Sequence, residues 1–259
     1  MKIVSFFLIS SALIFANNVA QAGATSPLKF CFEDTPQAPW TLPDGSGLNL
    51  ELLKRVEQRL GEKFEIVAKP WKRCLEEVRT GVQDGLIGSA LAPERQKFSV
   101  FPSRADGSVD PSAALNDDQA MVYIRTGSNA NWNGKELYNV RQAIIVQRAY
   151  LVGKLLQDQG FQIKEIRSIH EALDALVKGS AELAILQGAE ATSLVRYDSN
   201  IKDKVIIAST PFITLPMYLP INHKTYAKDP HRIQAIWNAI REIRASSDYR
   251  KLVDAARLP

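Results

Sequence analysis

The chain has 259 residues, and its 32 Lys and Arg against 28 Asp and Glu give a formal net charge of +4. The basic residues are spread along predicted helices between acidic ones, so we expect no nucleic-acid partner. With three histidines and two cysteines, we also expect no metal site and no cofactor.

The first 22 residues have the pattern of a signal peptide. Lys2 gives a positive start, residues 3–16 are apolar, and Ala20-Gln21-Ala22 is a small-residue cleavage motif. The apolar run is shorter than the roughly 18–20 residues that a membrane span needs. We therefore expect cleavage after Ala22 and a soluble mature protein in the periplasm.

The first half of the mature chain alternates strands and helices. Each helix has apolar residues at helical spacing and ends at a glycine, and a loop rich in Pro and Gly contains Trp40. The predicted order is strand 28–32, loop 35–47, a helix ending at Gly61, strand 64–68, a helix from Pro70-Trp71 to Gly81, strand 86–88 and a short helix from Pro93.

The second half follows a similar pattern between two irregular segments. Residues 101–118 and 211–220 are rich in Pro or Gly and are predicted to connect two lobes. Between them the predicted order is strands 121–124 and 143–146, a helix ending at Gly160, strand 161–166, helix 170–178 and strands 183–186 and 205–207. The last helix starts at Asp229-Pro230, and its apolar stripe is predicted to pack on the first lobe.

Residues 48–89 and 150–187 repeat one plan of helix, glycine, strand, helix, glycine and strand. In both, a polar residue, Ser89 or Gln187, stands eight positions after the second glycine. Two such units predict an α/β fold of two lobes. Open parallel sheets bind ligands outside the carboxyl ends of their strands, so Ser89 and Gln187 are expected to face one cleft.

The two cysteines, Cys31 and Cys74, are predicted to form a disulfide. An even count in an oxidising compartment favours this pairing, and neighbouring strands would bring the two residues close. A catalytic cysteine would need a positioned base, and none of the three histidines stands in a recognisable Cys/His signature.

Several motifs together resemble the extracellular solute-binding proteins of family 3, the amino-acid-binding type. They are Pro70-Trp71-Lys72-Arg73-Cys74, Gly81-x-x-Asp84, Ser89, Pro93-Glu94-Arg95 with Phe98-Ser99, and the closing helix with Tyr249. The resemblance implies a type II periplasmic-binding-protein fold with two crossing strands. It places lobe 1 in 23–115 and 214–259, and lobe 2 in 116–213.

The resemblance also implies a function. The two lobes would close on a small polar solute that carries a carboxylate, and the protein would deliver it to a membrane permease of an ABC transporter. We expect a monomer without enzymatic activity. The alternative is a periplasmic cleft enzyme of the dehydratase type, in which Asp34 or Glu94 would act as general acid.

Six of the predicted ligand-binding residues, counting Asp34, lie in the first lobe. The resemblance implies that Arg95 pairs with the solute carboxylate, that Ser89 and the adjacent Ala90 bind at the strand end, and that Trp40 covers the solute. Arg95 could instead be an exposed surface residue, and Ser89 an ordinary helix cap. Trp71 could wall the site or only pack at a helix start.

The remaining predicted residues set the charge of the site. Family members usually have an Asp at position 187, where it holds the α-ammonium, and this chain has Gln187. Gln147 and Arg148 end another strand, and Arg148 would add a second positive charge beside Arg95. Asp34 could meet a ligand ammonium or merely end a strand. The sequence therefore favours an anionic or polar acyl solute over a standard α-amino acid.

Overall fold

The computed structural model describes residues 26–257, so the predicted signal peptide lies outside the described residues. No helix in this range is long and apolar enough to cross a membrane. The elements are β1 (Leu28–Glu33), α1 (Leu48–Leu60), β2 (Phe64–Lys69), α2 (Trp71–Thr80), β3 (Gly85–Leu86), β4 (Ser89–Ala90), α3 (Pro93–Gln96), β5 (Ser99–Val100), β6 (Asn116–Arg125), β7 (Asn131–Trp132), β8 (Leu137–Tyr138), β9 (Ile144–Gln147), α4 (Leu151–Asp158), β10 (Ile163–Ile166), α5 (Ile169–Val177), β11 (Leu183–Gln187), α6 (Glu190–Tyr197), β12 (Val205–Ile207), β13 (Ile213–Tyr218), β14 (Ile221–Asn222), α7 (His223–Lys228), α8 (Pro230–Ala245) and α9 (Ser247–Arg257).

Lobe 1 is built on a five-stranded sheet in the order β2-β1-β3-β14-β5. Strand β1 runs parallel to β2 and β3, whereas β14 is antiparallel to β3 and β5. Because β14 follows lobe 2 in the sequence, the chain returns to lobe 1 after completing lobe 2. The predicted discontinuous first lobe is confirmed, while its exact boundaries stay a prediction.

Helix α8 completes the core of lobe 1. The predicted apolar stripe is buried, and its residues Ile236, Trp237 and Ile240 belong to the same apolar cluster as Leu53 and Val56 of α1. Burying one such large side chain contributes about 1.5–3 kcal/mol. The C-terminal segment is therefore an integral part of lobe 1.

Lobe 2 is built on a second sheet in the order β10-β9-β11-β6-β13-β4, with β12 also pairing with β6. Strands β9, β10 and β11 run parallel, as expected for the βα units of the predicted repeat. Helix α5 packs on this sheet, and its N-cap Ser168 accepts a hydrogen bond from the backbone N–H of Glu171 (3.2 Å).

Two antiparallel strands, β6 and β13, connect the lobes. In lobe 2, β6 pairs with β11, which places Ala120 opposite Gln187. Toward lobe 1, β13 pairs with β4, which places Met217 opposite Ala90. The crossing strands therefore join the two strand ends that the repeat predicts to face one cleft.

The predicted connection at 101–118 is wrong in part, because residues 101–115 pack on lobe 1 and β6 begins only at Asn116. Asp110 forms an ion pair with Arg241 of α8 (2.8 Å). Phe101 packs edge-on against Tyr218, with 5.7 Å between the ring centroids. A composition rich in Pro and Gly indicates irregular structure, but it does not indicate which surface the segment packs against.

Cys31 of β1 and Cys74 of α2 form a disulfide, with their Cα atoms 5.8 Å apart. Both residues are completely buried. The bridge ties the end of β1 to the first turn of α2, beside Glu33 and Trp71. It thus fixes two elements whose ends face lobe 2.

Reduction of the disulfide should lower the free energy of unfolding by about 4 kcal/mol, because the bridge restricts the unfolded chain. Urea unfolding with and without dithiothreitol measures this difference. The double variant Cys31→Ala/Cys74→Ala serves as the control, since its unfolding midpoint should not respond to the reductant. Detection of free thiols in the unfolded, unreduced protein would contradict the assignment.

Candidate functional site

A small cavity of about 40 Å³ lies between the lobes. Lobe 1, the crossing strands and lobe 2 all contribute to its walls. These include Glu33, Trp40, Trp71, Ala90 and Arg95 from lobe 1, Asn116, Asp118 and Met217 from the crossing strands, and Tyr150, Leu151 and Gln187 from lobe 2. The structure therefore brings five residues predicted from the sequence to one cavity: Trp40, Trp71, Ala90, Arg95 and Gln187.

The lobes touch each other beside this cavity. The backbone N–H of Ala189 in lobe 2 donates a hydrogen bond to the carbonyl of Ala38 in lobe 1 (3.1 Å). Tyr150 of lobe 2 packs against the apolar cluster of lobe 1 that contains Trp71 and the disulfide. The cavity is therefore narrow and is covered from both sides.

Gly88 separates two strands that the sequence analysis treats as one. Its φ of +79° is strained for any residue with a side chain. The chain turns there, so β3 belongs to the sheet of lobe 1 and β4 pairs with the crossing strand β13. Ser89 is completely buried in β4, next to Ala90 in the cavity wall.

Arg95 lies on the short helix α3 and is only 7% exposed. Its Nη1 donates hydrogen bonds to the carbonyl of Ala90 (2.8 Å) and to Oγ of Ser89 (3.3 Å). The guanidinium carbon lies 5.4 Å from the ring centre of Trp71, a cation–π contact. These contacts fix one edge of the guanidinium group and its plane.

The positive charge of Arg95 has no protein counterion among residues 26–257, where no carboxylate lies within 4.0 Å of it. Burial lowers the pKa of Arg95 to about 10, because desolvation disfavours the charged form. At neutral pH the group is still charged. A carboxylate that enters the cavity could accept hydrogen bonds from Nε and Nη2, which bond to none of the described residues.

Gln147 and Gln187 are joined by two hydrogen bonds between β9 and β11. Oε1 of Gln147 accepts from the backbone N–H of Gln187 (2.8 Å), and its Nε2 donates to the carbonyl of Gln187 (3.2 Å). The amide of Gln147 is thus engaged in holding the end of β11. The amide nitrogen of Gln187 donates to Oδ2 of Asp118 (3.0 Å).

Asp34, Gln147 and Arg148 line a second, outer cavity rather than the one beside Arg95. The two cavities share the walls made by Glu33, Trp71 and Tyr150. Arg148 is exposed and lies 3.8 Å from the carboxylate of Glu165. The sequence predicts Arg148 beside Arg95 in one site. The structure instead places Arg95 at the inner cavity and Arg148 at the outer one.

Asp118 is a cavity residue that the sequence analysis misses. It alternates with exposed neighbours along β6 and is 8% exposed. Burial raises its pKa, against the opposing effect of hydrogen bonds from Gln187, the backbone of Gln119 and Trp40. The signal that could have found it is the polar run 116–119 at the start of a crossing strand, where every second side chain points inward.

Glu33 is the second carboxyl group that the sequence analysis overlooks, in favour of its neighbour Asp34. As the last residue of β1, it lines both cavities and is partly buried. Desolvation, with a smaller effect from Asp34, raises the pKa of Glu33 to about 7. At neutral pH its carboxyl group is therefore close to half protonated and able to donate a proton.

Solved structures with low sequence identity share this fold. A histidine kinase sensor domain with similarity to periplasmic binding proteins has a TM-score of 0.71 at 12% identity, and the match covers 90% of this chain and 97% of that one. The arginine-, lysine-, histidine-binding protein ArtJ from the thermophilic bacterium Geobacillus stearothermophilus has a TM-score of 0.67 at 18% identity, with coverage of 90% and 95%. The ancestral amino acid-binding protein AncCDT-1, a precursor of cyclohexadienyl dehydratase, has a TM-score of 0.66 at 17% identity, with coverage of 88% and 94%.

The described residues have the two-lobed fold of type II periplasmic binding proteins. Residues 28–255 match the bacterial extracellular solute-binding proteins, family 3, and the chain belongs to this family. A comparison with curated proteins gives no match. An extracellular family and a disulfide both fit a periplasmic location.

The raised pKa of Glu33 should make stability fall as pH rises from about 4.5 to about 7. In this window the unfolded chain has lost the proton that the native carboxyl group retains, and above it both states are ionised. The free energy of unfolding of the wild type, compared with that of Glu33→Gln, should show this fall. The control is Glu136→Gln, which removes an exposed carboxylate between β7 and β8 and should keep the pH dependence of the wild type. If the stability of Glu33→Gln depends on pH as that of the wild type does, the assignment is wrong.

Proposed function

We propose that this protein is an exported solute-binding protein that captures a small carboxylate-bearing solute between its lobes and passes it to a membrane permease of an ABC transporter. Membership of the extracellular solute-binding family supports the binding role. The proposal includes a signal peptide in residues 1–22, cleaved after Ala22, and a periplasmic monomer in which 23–115 with 214–259 and 116–213 form the two lobes.

The observation that carries this proposal is the buried guanidinium group of Arg95, which faces the cavity without a described protein counterion. Removing a charge from water costs several kcal/mol unless an opposite charge compensates it. A bound carboxylate supplies that charge and fits the planar fork of an arginine. Ser89 and Ala90 hold the guanidinium, while Trp40 and Trp71 wall the site.

Lobe closure is the proposed mechanism. A solute on Arg95 reaches groups of lobe 2, such as Tyr150 and Gln187, only when the lobes meet. Because these contacts exist only in the closed state, binding shifts the equilibrium between open and closed forms toward closure. The closed surface would then be the form that the permease recognises.

Arg95→Ala should weaken binding of a carboxylate solute by about 30-fold or more, since losing one partner of a buried, hydrogen-bonded charge pair costs about 2–5 kcal/mol. A thermal-shift screen of the wild type against L-amino acids and other small carboxylic acids identifies the probe, because a ligand selective for the native state raises the melting temperature. Calorimetric titration of the variant with that probe then measures the loss.

The matched control is Arg104→Ala, which removes an exposed arginine of lobe 1 outside the cavity. It should bind the probe as the wild type does. Circular dichroism establishes that the Arg95→Ala protein is folded. Equal affinities of the wild type and Arg95→Ala for the probe would remove Arg95 from the site.

The second candidate function is a cleft enzyme of the dehydratase type, and the observation that favours it is Glu33. The acids proposed from the sequence, Asp34 and Glu94, are both exposed, and neither lines the inner cavity. Glu33 lines that cavity and has a pKa of about 7. A carboxylic acid with this pKa could protonate a leaving hydroxyl group at neutral pH.

Proton NMR of small hydroxy acids incubated with the protein separates the two functions. A dehydratase should convert at least one of them to an unsaturated product, and Glu33→Gln should lose this activity. A binding protein should return all of them unchanged while its melting temperature rises. Product formation that persists in Glu33→Gln would rule out Glu33 as the acid.

A further inference from the structure

We propose that Tyr150 is a specificity-determining residue, whose ring separates the inner cavity from the outer one and thereby restricts the solute on Arg95 to short acids. This inference rests on the proposed function and names the size class of its solute. It concerns the boundary between the two cavities, to which Glu33, Trp71 and Tyr150 contribute.

The first argument is the difference in size between the two cavities. The inner cavity has a volume of about 40 Å³ and the outer one a volume of about 390 Å³. A water molecule needs at least about 10–15 Å³ of such space, so the inner cavity has room for about three groups of that size. This is close to the size of acetate, in which a methyl group and two oxygens surround one carbon. A longer acid on Arg95 therefore has to extend into the outer cavity.

The second argument is the origin of the walls that the two cavities share. Glu33 and Trp71 belong to lobe 1, where Glu33 ends β1 and Trp71 begins α2, the helix that the disulfide ties to β1. Tyr150 is the member of this group that comes from lobe 2. The separation of the cavities is therefore complete only when lobe 2 lies against lobe 1, so the size of the solute is tested during closure.

The third argument is the way in which the backbone holds Tyr150. The preceding residue, Ala149, has a φ of +61°, a left-handed conformation that is unfavourable for a residue with a side chain. Its N–H donates a hydrogen bond to Oε1 of Glu165 (3.0 Å), and the N–H of Arg148 donates to the carbonyl of Ile166 (3.1 Å). Such a conformation persists only where the surrounding contacts fix it. Tyr150 therefore enters the cleft from a turn that is held in place.

The fourth argument is the environment of the Tyr150 side chain. It packs against the apolar cluster of lobe 1 that contains Trp71 and the disulfide. Desolvation, with smaller effects from the charges of Glu33 and Asp118, raises the pKa of Tyr150, and the charge of Arg95 opposes this effect. The phenol is thus surrounded by groups of the inner cavity, and its ring occupies space that a longer solute would need.

Removal of the ring should join the two cavities. In Tyr150→Ala, a carboxylate on Arg95 could extend its chain past Trp71 into the outer cavity, whose walls include Ile166 and Ile169 of lobe 2. Each methylene group that the variant buries there should strengthen binding about fourfold. In the wild type the same methylene groups would collide with the ring of Tyr150.

Two homologous series of ligands test the proposal. Calorimetric titration compares the wild type and Tyr150→Ala with unbranched carboxylic acids from acetate to hexanoate and with unbranched 2-amino acids from glycine to norleucine. The wild type should bind the shortest member of at least one series, and its affinity should fall about tenfold or more along that series. Tyr150→Ala should bind the longest member about tenfold or more tightly than the wild type does.

The control variants separate the ring from other properties of the residue. Tyr150→Phe keeps the ring, so its dependence on chain length should equal that of the wild type. Tyr138→Ala removes an exposed tyrosine of lobe 2 outside both cavities and should also behave as the wild type does. A residue that only stabilised the closed state would change the affinity for all members of a series by one factor. If Tyr150→Ala does not fold, Tyr150→Leu, which is shorter than tyrosine but still apolar, should shift the preference in the same direction.

The possible failures are distinguishable. A wild type that binds the longest and shortest members equally tightly, with an affinity that Arg95→Ala abolishes, would overturn the role of Tyr150 and leave the proposed function intact. The same holds if Tyr150→Ala keeps the wild-type dependence on chain length. A wild type that binds no member of either series would overturn both. A shift toward longer members in Tyr150→Ala, which is absent from Tyr150→Phe and Tyr138→Ala, supports the inference.

Discussion

The charge on Arg95 determines how the rest of the site has to be organised. A buried guanidinium group without a counterion is costly, and the structure reduces that cost with neutral groups only. The Ala90 carbonyl and the hydroxyl of Ser89 accept hydrogen bonds from it, and Trp71 offers the face of its ring. The chain turns at Gly88, which brings β4 to one side of the guanidinium group. The disulfide between Cys31 and Cys74 holds α2, which carries Trp71, on β1.

The crossing strands form part of the site itself. Asn116 and Asp118 of β6 and Met217 of β13 line the cavity, so the segments that connect the lobes also form part of its wall. A ligand that contacts lobe 1, a crossing strand and lobe 2 together has its full set of contacts only when the lobes are closed. This coupling is what a two-state binding protein needs, since only differential contacts shift such an equilibrium.

Features that depend on local pattern could be predicted from the sequence. The tandem repeat predicts the two lobes, and the apolar stripe of α8 predicts that the C-terminal segment returns to the first lobe. The short helix that starts at Pro93 indicates that Arg95 lies just after a strand end. Features that depend on pairing between distant strands could not be predicted. Its place at the end of β9 predicts Gln147 as a ligand residue, but its amide is engaged by the backbone of β11. Asp118 could not be predicted, because the composition of 101–118, rich in Pro and Gly, indicates a loop throughout this segment.

Arg148 shows a further limit of the same kind. Its position at a strand end is equivalent to those of other site residues, yet its side chain points to Glu165 and the outer cavity. A strand end predicted from the sequence indicates that a residue lies near the cleft. The direction of its side chain depends on strand register and on packing neighbours, which the sequence alone does not give. The inner cavity is therefore less positive than the sequence predicts, because Arg148 does not line it.

The distribution of charge between the lobes also favours an order of events. Arg95 belongs to lobe 1 and Asp118 to a crossing strand, whereas lobe 2 contributes to the inner cavity the uncharged groups Tyr150, Leu151 and Gln187. A charged solute can therefore make its strongest contacts with the first half of the site before the lobes meet. On the proposed mechanism, lobe 2 would then remove water from those contacts, which would strengthen them because the local dielectric constant falls. Closure and charge recognition would thus reinforce each other.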